Sequence, residues 1–263
     1  MVCVALAAPV FAFTSRATQT VVVHKDSSGS VTSTCPKGEH VSFGGFVAQF
    51  VPPPNVPGRP AVFAEGMRRT APDRWTVIGE SAAVGTGSRL TSIAYCDLGS
   101  VPTAAAKTVS LAARHTASVT ATCPAGTVVV GGGFKSGASP QHQELLSQLQ
   151  ATSSTQWRVT MRNISKFPTT LTALAYCGAG AAPALHSATA AVPGEKGGTA
   201  RASCPNGTAL VFGGLLAVSP GSGVDSADIE PFSFSAPTAQ QWIVAGYNAG
   251  ARAGSLEALA YCR

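Results

Sequence analysis

The sequence predicts an all-β protein of three pseudo-symmetric antiparallel repeats, prism-like, with one disulfide per repeat. Three observations carry this. One string of residues is written three times, six of the seven cysteines fall two to a copy, and apolar and polar residues alternate with period two in the most regular segments. No segment has a convincing helical period.

Each copy opens on a Cys-Pro-x-Gly step: Cys35-Pro36-Lys37-Gly38, Cys123-Pro124-Ala125-Gly126 and Cys204-Pro205-Asn206-Gly207. A glycine pair follows, at Gly44-Gly45, Gly131-Gly132-Gly133 and Gly213-Gly214. Then come Trp75, Trp157 and Trp242, and each copy closes on Ala94-Tyr95-Cys96, Ala175-Tyr176-Cys177 or Ala260-Tyr261-Cys262. The repeats are placed at 18–98, 99–179 and 180–263.

Within a repeat, Thr20–His24 and Ser30–Thr34 flank the polar turn Asp26-Ser27-Ser28-Gly29 and read as a hairpin. Thr108–Ala113 with Ser118–Thr122 repeats it. The Cys-Pro-x-Gly step is a turn, because Pro fixes φ at the corner and Gly accepts φ > 0 two residues later. A further strand, such as Thr127–Val130, runs into the glycine pair, which marks a bulge or a close backbone approach. Trp157-Arg158-Val159-Thr160-Met161-Arg162 alternates as a half-buried strand does, and its equivalents start at Trp75 and Trp242. In the closing strand Leu171, Ala173, Ala175 and Cys177 share one face and Thr172, Leu174 and Tyr176 the other. Apolar groups on both faces place that strand inside a sheet. Gln141–Gln150 is the best helical candidate, but it aligns with predicted strand in the other copies.

The tryptophans fall on the apolar face of their strands, which makes them core residues rather than sugar-stacking platforms. Tyr95, Tyr176 and Tyr261 are expected to pack with the hydroxyl at the periphery. Asn163 and Asn248 stand six residues after their Trp, where the first copy has Ser81; turn formation is expected there, with ligand contact as the alternative.

Six cysteines under threefold repetition leave two pairings. Each repeat closes on itself (Cys35–Cys96, Cys123–Cys177, Cys204–Cys262), or each bridges forward (Cys96–Cys123, Cys177–Cys204, Cys262–Cys35). The constant step of 27 residues from Cys96 to Cys123 and from Cys177 to Cys204 argues for the second. A complete cysteine pair in every copy argues for the first, worth about 4 kcal/mol per loop on the chain-entropy model. Self-closure is preferred. No Cys-x-x-Cys pair or nearby His sets up a zinc site, so the cysteines read as disulfides of an oxidising compartment and the protein as secreted.

Residues 1–13 form a signal-peptide-like segment, apolar over Val2–Phe13 but without a basic start; a buried first strand is the alternative. It is too short to span a bilayer, which takes about 20 residues. Charged residues make up only 11% of the chain and apolar ones 45%, with 28 Gly and 18 Pro. That profile suits strands and turns and excludes a disordered chain. The net charge of +6 is scattered, with Arg68, Arg69 and Arg74 the densest group. No basic stripe suggests a nucleic-acid partner, whereas attraction to anionic cell-wall polymers is compatible with the charge.

No catalytic constellation is expected. His24, His40, His115, His142 and His186 do not recur at equivalent places, and no nucleophile elbow, zincin motif or phosphate loop is present. Asp225, Asp228 and Glu230 form the one acidic group, without the spacing of a Ca²⁺ loop. No metal or cofactor is expected. Ligand contacts are assigned to the variable loops, 50–61, 135–143 and 218–231, because loops on a rigid scaffold carry function. The candidates there are Asn55, Arg59, Gln141, His142, Asp225, Asp228 and Glu230.

Two architectures fit the triplication: a β-prism of three sheets around a pseudo-threefold axis with a shared core, and three tandem small β-sandwiches. The absence of a Pro/Ser-rich linker favours the prism. The triple Cys-Pro-x-Gly, Gly-Gly-Phe (Gly-Gly-Leu in the third copy) and Tyr-Cys pattern resembles a class of secreted bacterial repeats, sometimes found singly beside collagen-like segments. That resemblance spans nearly all of residues 18–263. In arrangement, more distantly, the chain resembles the vitelline membrane outer layer protein family, a disulfide-bonded β-prism. Neither resemblance supplies catalytic residues. The functional expectation is a secreted non-enzymatic binding module, lectin-like or recognising a cell surface, with a glycan or cell-wall polymer as partner. A structural or protective envelope protein and an extracellular glycan hydrolase are the alternatives.

Overall fold

The computed structural model describes residues 13–50, 62–81, 88–137, 144–218 and 228–263, with backbone only at Phe50 and Phe63. The first repeat gives β1 (Ser15–Val23), β2 (Ser27–Thr34), β3 (His40–Phe50), β4 (Val62–Ala71), β5 (Arg74–Ser81) and β6 (Ser88–Asp97). The second gives β7 (Thr103–Leu111), β8 (Thr116–Thr122), β9 (Val128–Ser136), β10 (Glu144–Ser153), β11 (Gln156–Asn163) and β12 (Thr169–Gly178). The third gives β13 (Ala184–Val192), β14 (Gly197–Ser203), β15 (Leu210–Val218), β16 (Ile229–Thr238), β17 (Gln241–Asn248) and β18 (Gly254–Cys262). The helical candidate at 141–150 is thus strand β10 in its described part.

The strands form three six-stranded antiparallel sheets, and every sheet is built from two repeats. Their orders are β1-β6-β3-β16-β17-β14, β2-β5-β4-β9-β12-β7 and β13-β18-β15-β10-β11-β8. Each repeat sends its first, third and sixth strands to one sheet and its second, fourth and fifth to the next. The apolar faces of all three sheets meet in one core, holding Trp75, Trp157 and Trp242 at 0–1% exposure. Three tandem sandwiches are excluded.

This exchange corrects the hairpin reading. β1 pairs with β6 and β2 with β5, in different sheets, and β7 and β8 likewise part company. The turn between them, at Asp26, Arg114 and Glu195 with φ of 54–58°, is a corner from one sheet to another. The Cys-Pro-x-Gly glycines do take positive φ, 91°, 79° and 83° at Gly38, Gly126 and Gly207. The disulfides close each repeat on itself: Cys35–Cys96, Cys123–Cys177 and Cys204–Cys262.

The repeated motif is the joinery of the interlock. The two half-sheets meet along short seams: Phe46 opposite Phe234, Met67 opposite Phe134, and Leu149 opposite Leu215. The second glycine of each pair lies at its seam, where a Cβ would stand 2.2–2.4 Å from the carbonyl oxygen of Phe234, Met67 or Leu149. The first glycine lies under its own repeat's indole, and a Cβ on Gly44, Gly132 or Gly213 would come within 2.0–2.2 Å of Trp75, Trp157 or Trp242. Each Trp in turn meets a ring of the next repeat: Trp75 with Tyr176, Trp157 with Phe212, and Trp242 with Phe43.

The tyrosines depart from expectation. Tyr95, Tyr176 and Tyr261 are 0–4% exposed, and their hydroxyls reach the backbone of the preceding repeat rather than the periphery. Tyr95 bonds Ala236, Tyr176 accepts from the Arg69 amide at 2.7 Å, and Tyr261 bonds Ala151. Each contact satisfies backbone at a bulge near the end of the donated strand. Burial raises all three phenol pKa values, to about 12 for Tyr95 and Tyr176.

Candidate functional site

The two ends of the prism differ in kind. At one end lie the three disulfides and the Cys-Pro-x-Gly turns, the same in every copy. At the other, β3, β9 and β15 end and β4, β10 and β16 begin, so the segments 51–61, 138–143 and 219–227 all connect strands there. The corner turns and the connections 82–87, 164–168 and 249–253 belong to the same end.

Of the sequence-derived candidates, Asn55, Arg59, Gln141, His142 and Asp225 lie outside the described residues, as do residues 1–12 of the leader-like segment. Phe13, the last residue of that segment, packs against Phe43 and Tyr95. Asp228 is placed: its carboxylate takes a hydrogen bond and ion pair from Arg162 at 2.8 Å, joining the third repeat to the second. Glu230 lies two residues along, opposite Tyr247 in β17. Asn163 and Asn248, both fully buried, hold the connections that follow them. Asn163 donates to the Phe167 carbonyl at 2.8 Å and accepts from the Ser165 amide at 2.9 Å. Asn248 donates to the carbonyls of Arg252 (2.7 Å) and Val192 (3.1 Å) and accepts from the Gly250 amide at 3.0 Å.

A group that sequence reasoning missed stands at the same end, between the first and second repeats. Glu65, Glu80 and Glu144 are 1–3% exposed. Glu65 is the extra residue of a bulge between Ala64 and Gly66, Glu80 lies on the neighbouring strand β5, and Glu144 begins β10. Neither Glu65 carboxyl oxygen has a hydrogen-bond partner among the described residues. Burial, then the neighbouring Glu80 side chain and the charges of Glu80 and Glu144, hold the Glu65 carboxyl far above the usual carboxylate range. Burial and the Glu80 charge push Glu144 up to about 7, against the favourable Ser136 hydroxyl. The same Ser136 hydroxyl donates to the Glu65 carbonyl at 3.0 Å.

None of the three acids is repeated. The seam registers align Glu65 with Ser147 and Phe232, and Glu144 with Val62 and Ile229. Counting five from each Trp aligns Glu80 with Arg162 and Tyr247. The readable signal was a charge in one copy where the others carry unrelated residues. Its burial was hidden by the bulge, which breaks the inside–outside alternation. Among the described residues no three His, Cys, Asp or Glu side chains are placed to hold a metal ion, and no helix is long and apolar enough to cross a membrane.

Compared with known proteins, the chain matches no protein-family model, and a search of curated proteins finds no similar sequence.

Proposed function

We propose that the protein is an extracellular, non-catalytic binding module that recognises a glycan or cell-wall polymer through the loop-bearing end of the prism. The observation that carries this reading is the contrast between the ends. Cysteines, turn glycines and tyrosines recur in all copies at one end. At the other, the connecting segments differ in length and composition, and three buried acids, two from the first repeat and one from the second, have no counterparts at equivalent positions. A rigid scaffold with divergent loops is the arrangement in which recognition usually resides. Buried carboxylates cost stability without being needed by the repeat, as specialised sites do. Three disulfides fit an oxidising, extracellular setting.

The test is retention of the oxidised full chain on glycan arrays and on insoluble cell-wall polysaccharide. It is compared with a chimera in which segments 51–61 and 219–227 are replaced by the six residues 138–143. Retention of the parent and its loss in an equally stable chimera is the expected result. An unretained parent, or a chimera that binds as well, overturns the reading. Self-assembly without polysaccharide binding would assign the protein to envelope structure instead.

A further inference from the structure

The end opposite the loops is not featureless. A cavity of about 250 Å³ opens there, where β3, β9 and β15 approach one another around the pseudo-threefold axis. Its lining includes equivalent positions from the three repeats, together with Gly99, Ser100, Pro102 and Ala179. Seven residues after the first cysteine of each copy stand Ser42, Val130 and Val211. Directly after the second cysteine stand Asp97, Gly178 and Arg263. Five after the first cysteine stand His40 and Ala209, with Val128 as the third equivalent.

A purely structural axis needs three equal apolar residues per layer. Here every layer is broken, and always towards polarity: the first repeat supplies His40, Ser42 and Asp97, and the third supplies Arg263. His40 and Asp97 are direct cross-strand partners. His40 is 6% exposed as a residue and lines the cavity. Burial lowers its pKa more than Asp97 raises it, so the ring is neutral and offers one donor and one acceptor. Asp97 uses one oxygen on the Leu98 amide, at 2.7 Å. Arg263 uses one nitrogen on the Ala181 carbonyl, at 3.2 Å, leaving most of its five donors uncommitted. Val130 and Val211 supply an aliphatic wall.

We propose that this axial cavity binds a small zwitterion of amino-acid size, its carboxylate on Arg263, its ammonium on Asp97 and its aliphatic part on Val130 and Val211. Charge decides the class. A simple anion would meet Asp97, and a simple cation would meet Arg263; a molecule bearing both signs satisfies both. Size agrees, since 250 Å³ corresponds to about eight waters and falls just below the range of drug-sized clefts. The lining contains no Trp, Tyr or Phe ring on which a sugar could stack.

The test is calorimetric titration and thermal shift of the oxidised full chain with neutral aliphatic amino acids. Their amides, their N-acetyl derivatives, the matching carboxylic acids and free monosaccharides serve as controls. Zwitterions are expected to bind, and each control that lacks one charge to bind at least tenfold more weakly. Asp97→Asn and Arg263→Ala should each lose at least tenfold with unchanged unliganded melting. Val130→Phe, which fills the cavity, should abolish binding even if the two charge variants prove unstable. No binding by any zwitterion, equal binding of the amides and N-acetyl derivatives, or undiminished binding by Val130→Phe overturns the proposal. Preferential binding of a monosaccharide would do the same. Because polysaccharide retention is assigned to the opposite end, either result stands without the other.

Discussion

The Tyr261 hydroxyl accepts a hydrogen bond from the Ala151 amide at 2.9 Å and donates one to the Ala151 carbonyl at 3.1 Å, across 110 residues of chain. The third repeat therefore bonds both polar groups of a partly buried backbone unit in the second. Tyr95 does the same for Ala236, and Tyr176 meets the Arg69 amide alone.

Removing that hydroxyl should weaken the joint between repeats rather than one repeat alone. Tyr261→Phe leaves the Ala151 amide and carbonyl without partners and is expected to cost about 1–3 kcal/mol in urea unfolding. Tyr95→Phe should cost a similar amount, and Tyr176→Phe, which strands a single amide, less. Wild-type stability for all three would show that the hydroxyls are incidental.

The two glycines of a pair answer to different neighbours, and their alanine variants should separate. Gly132→Ala places a methyl 2.1 Å from the Trp157 indole, a side chain that can shift. Gly133→Ala places one 2.4 Å from the Met67 carbonyl, in backbone of another repeat. Both are expected to destabilise by about 1–3 kcal/mol or more. Only Gly132→Ala should be relieved by Trp157→Leu. Relief of both, or of neither, would contradict these assignments.

The buried acids give stability a definite slope with pH. Their folded pKa values lie above the unfolded ones, so between the ordinary carboxylate range and about 7 for Glu144, and further for Glu65, the folded state holds more protons. Stability is then greatest below that window and falls as pH rises through it. From pH 5 to pH 8 the midpoint of urea unfolding should decline. Glu144→Gln and Glu65→Gln should flatten the decline and raise stability at pH 8 by an amount on the order of 1–3 kcal/mol. An unchanged slope in both variants would place the charge effect elsewhere.

Much of this fold is legible in the sequence, and what is hidden has a common cause. Alternation locates the strands beginning at Trp75, Trp157 and Trp242 because that signal is local, and the complete cysteine pair in each copy favours, over the forward bridging, the pairing found. Partner choice is not local. The residues around Asp26 announce a reversal of the chain but not that β1 and β2 enter different sheets. The tyrosines looked peripheral because their partners, Ala236, Arg69 and Ala151, sit in other repeats. At the loop end, Asp228 was visible as an acid and proves to be held by Arg162. Glu65 was invisible because one bulge in β4 turns it inward. At the other end, His40 and Asp97 are 57 positions apart in the numbering and become neighbours only through β3 and β6.

The account stands on the interlock: with every sheet shared between two repeats, no repeat can open alone. Native-state hydrogen exchange of the oxidised chain tests this most directly. Core amides of β3, β9 and β15, one strand from each repeat, should converge on a single opening free energy with a single denaturant dependence. A repeat whose core amides exchange together at a lower free energy, while the other two stay protected, would contradict it.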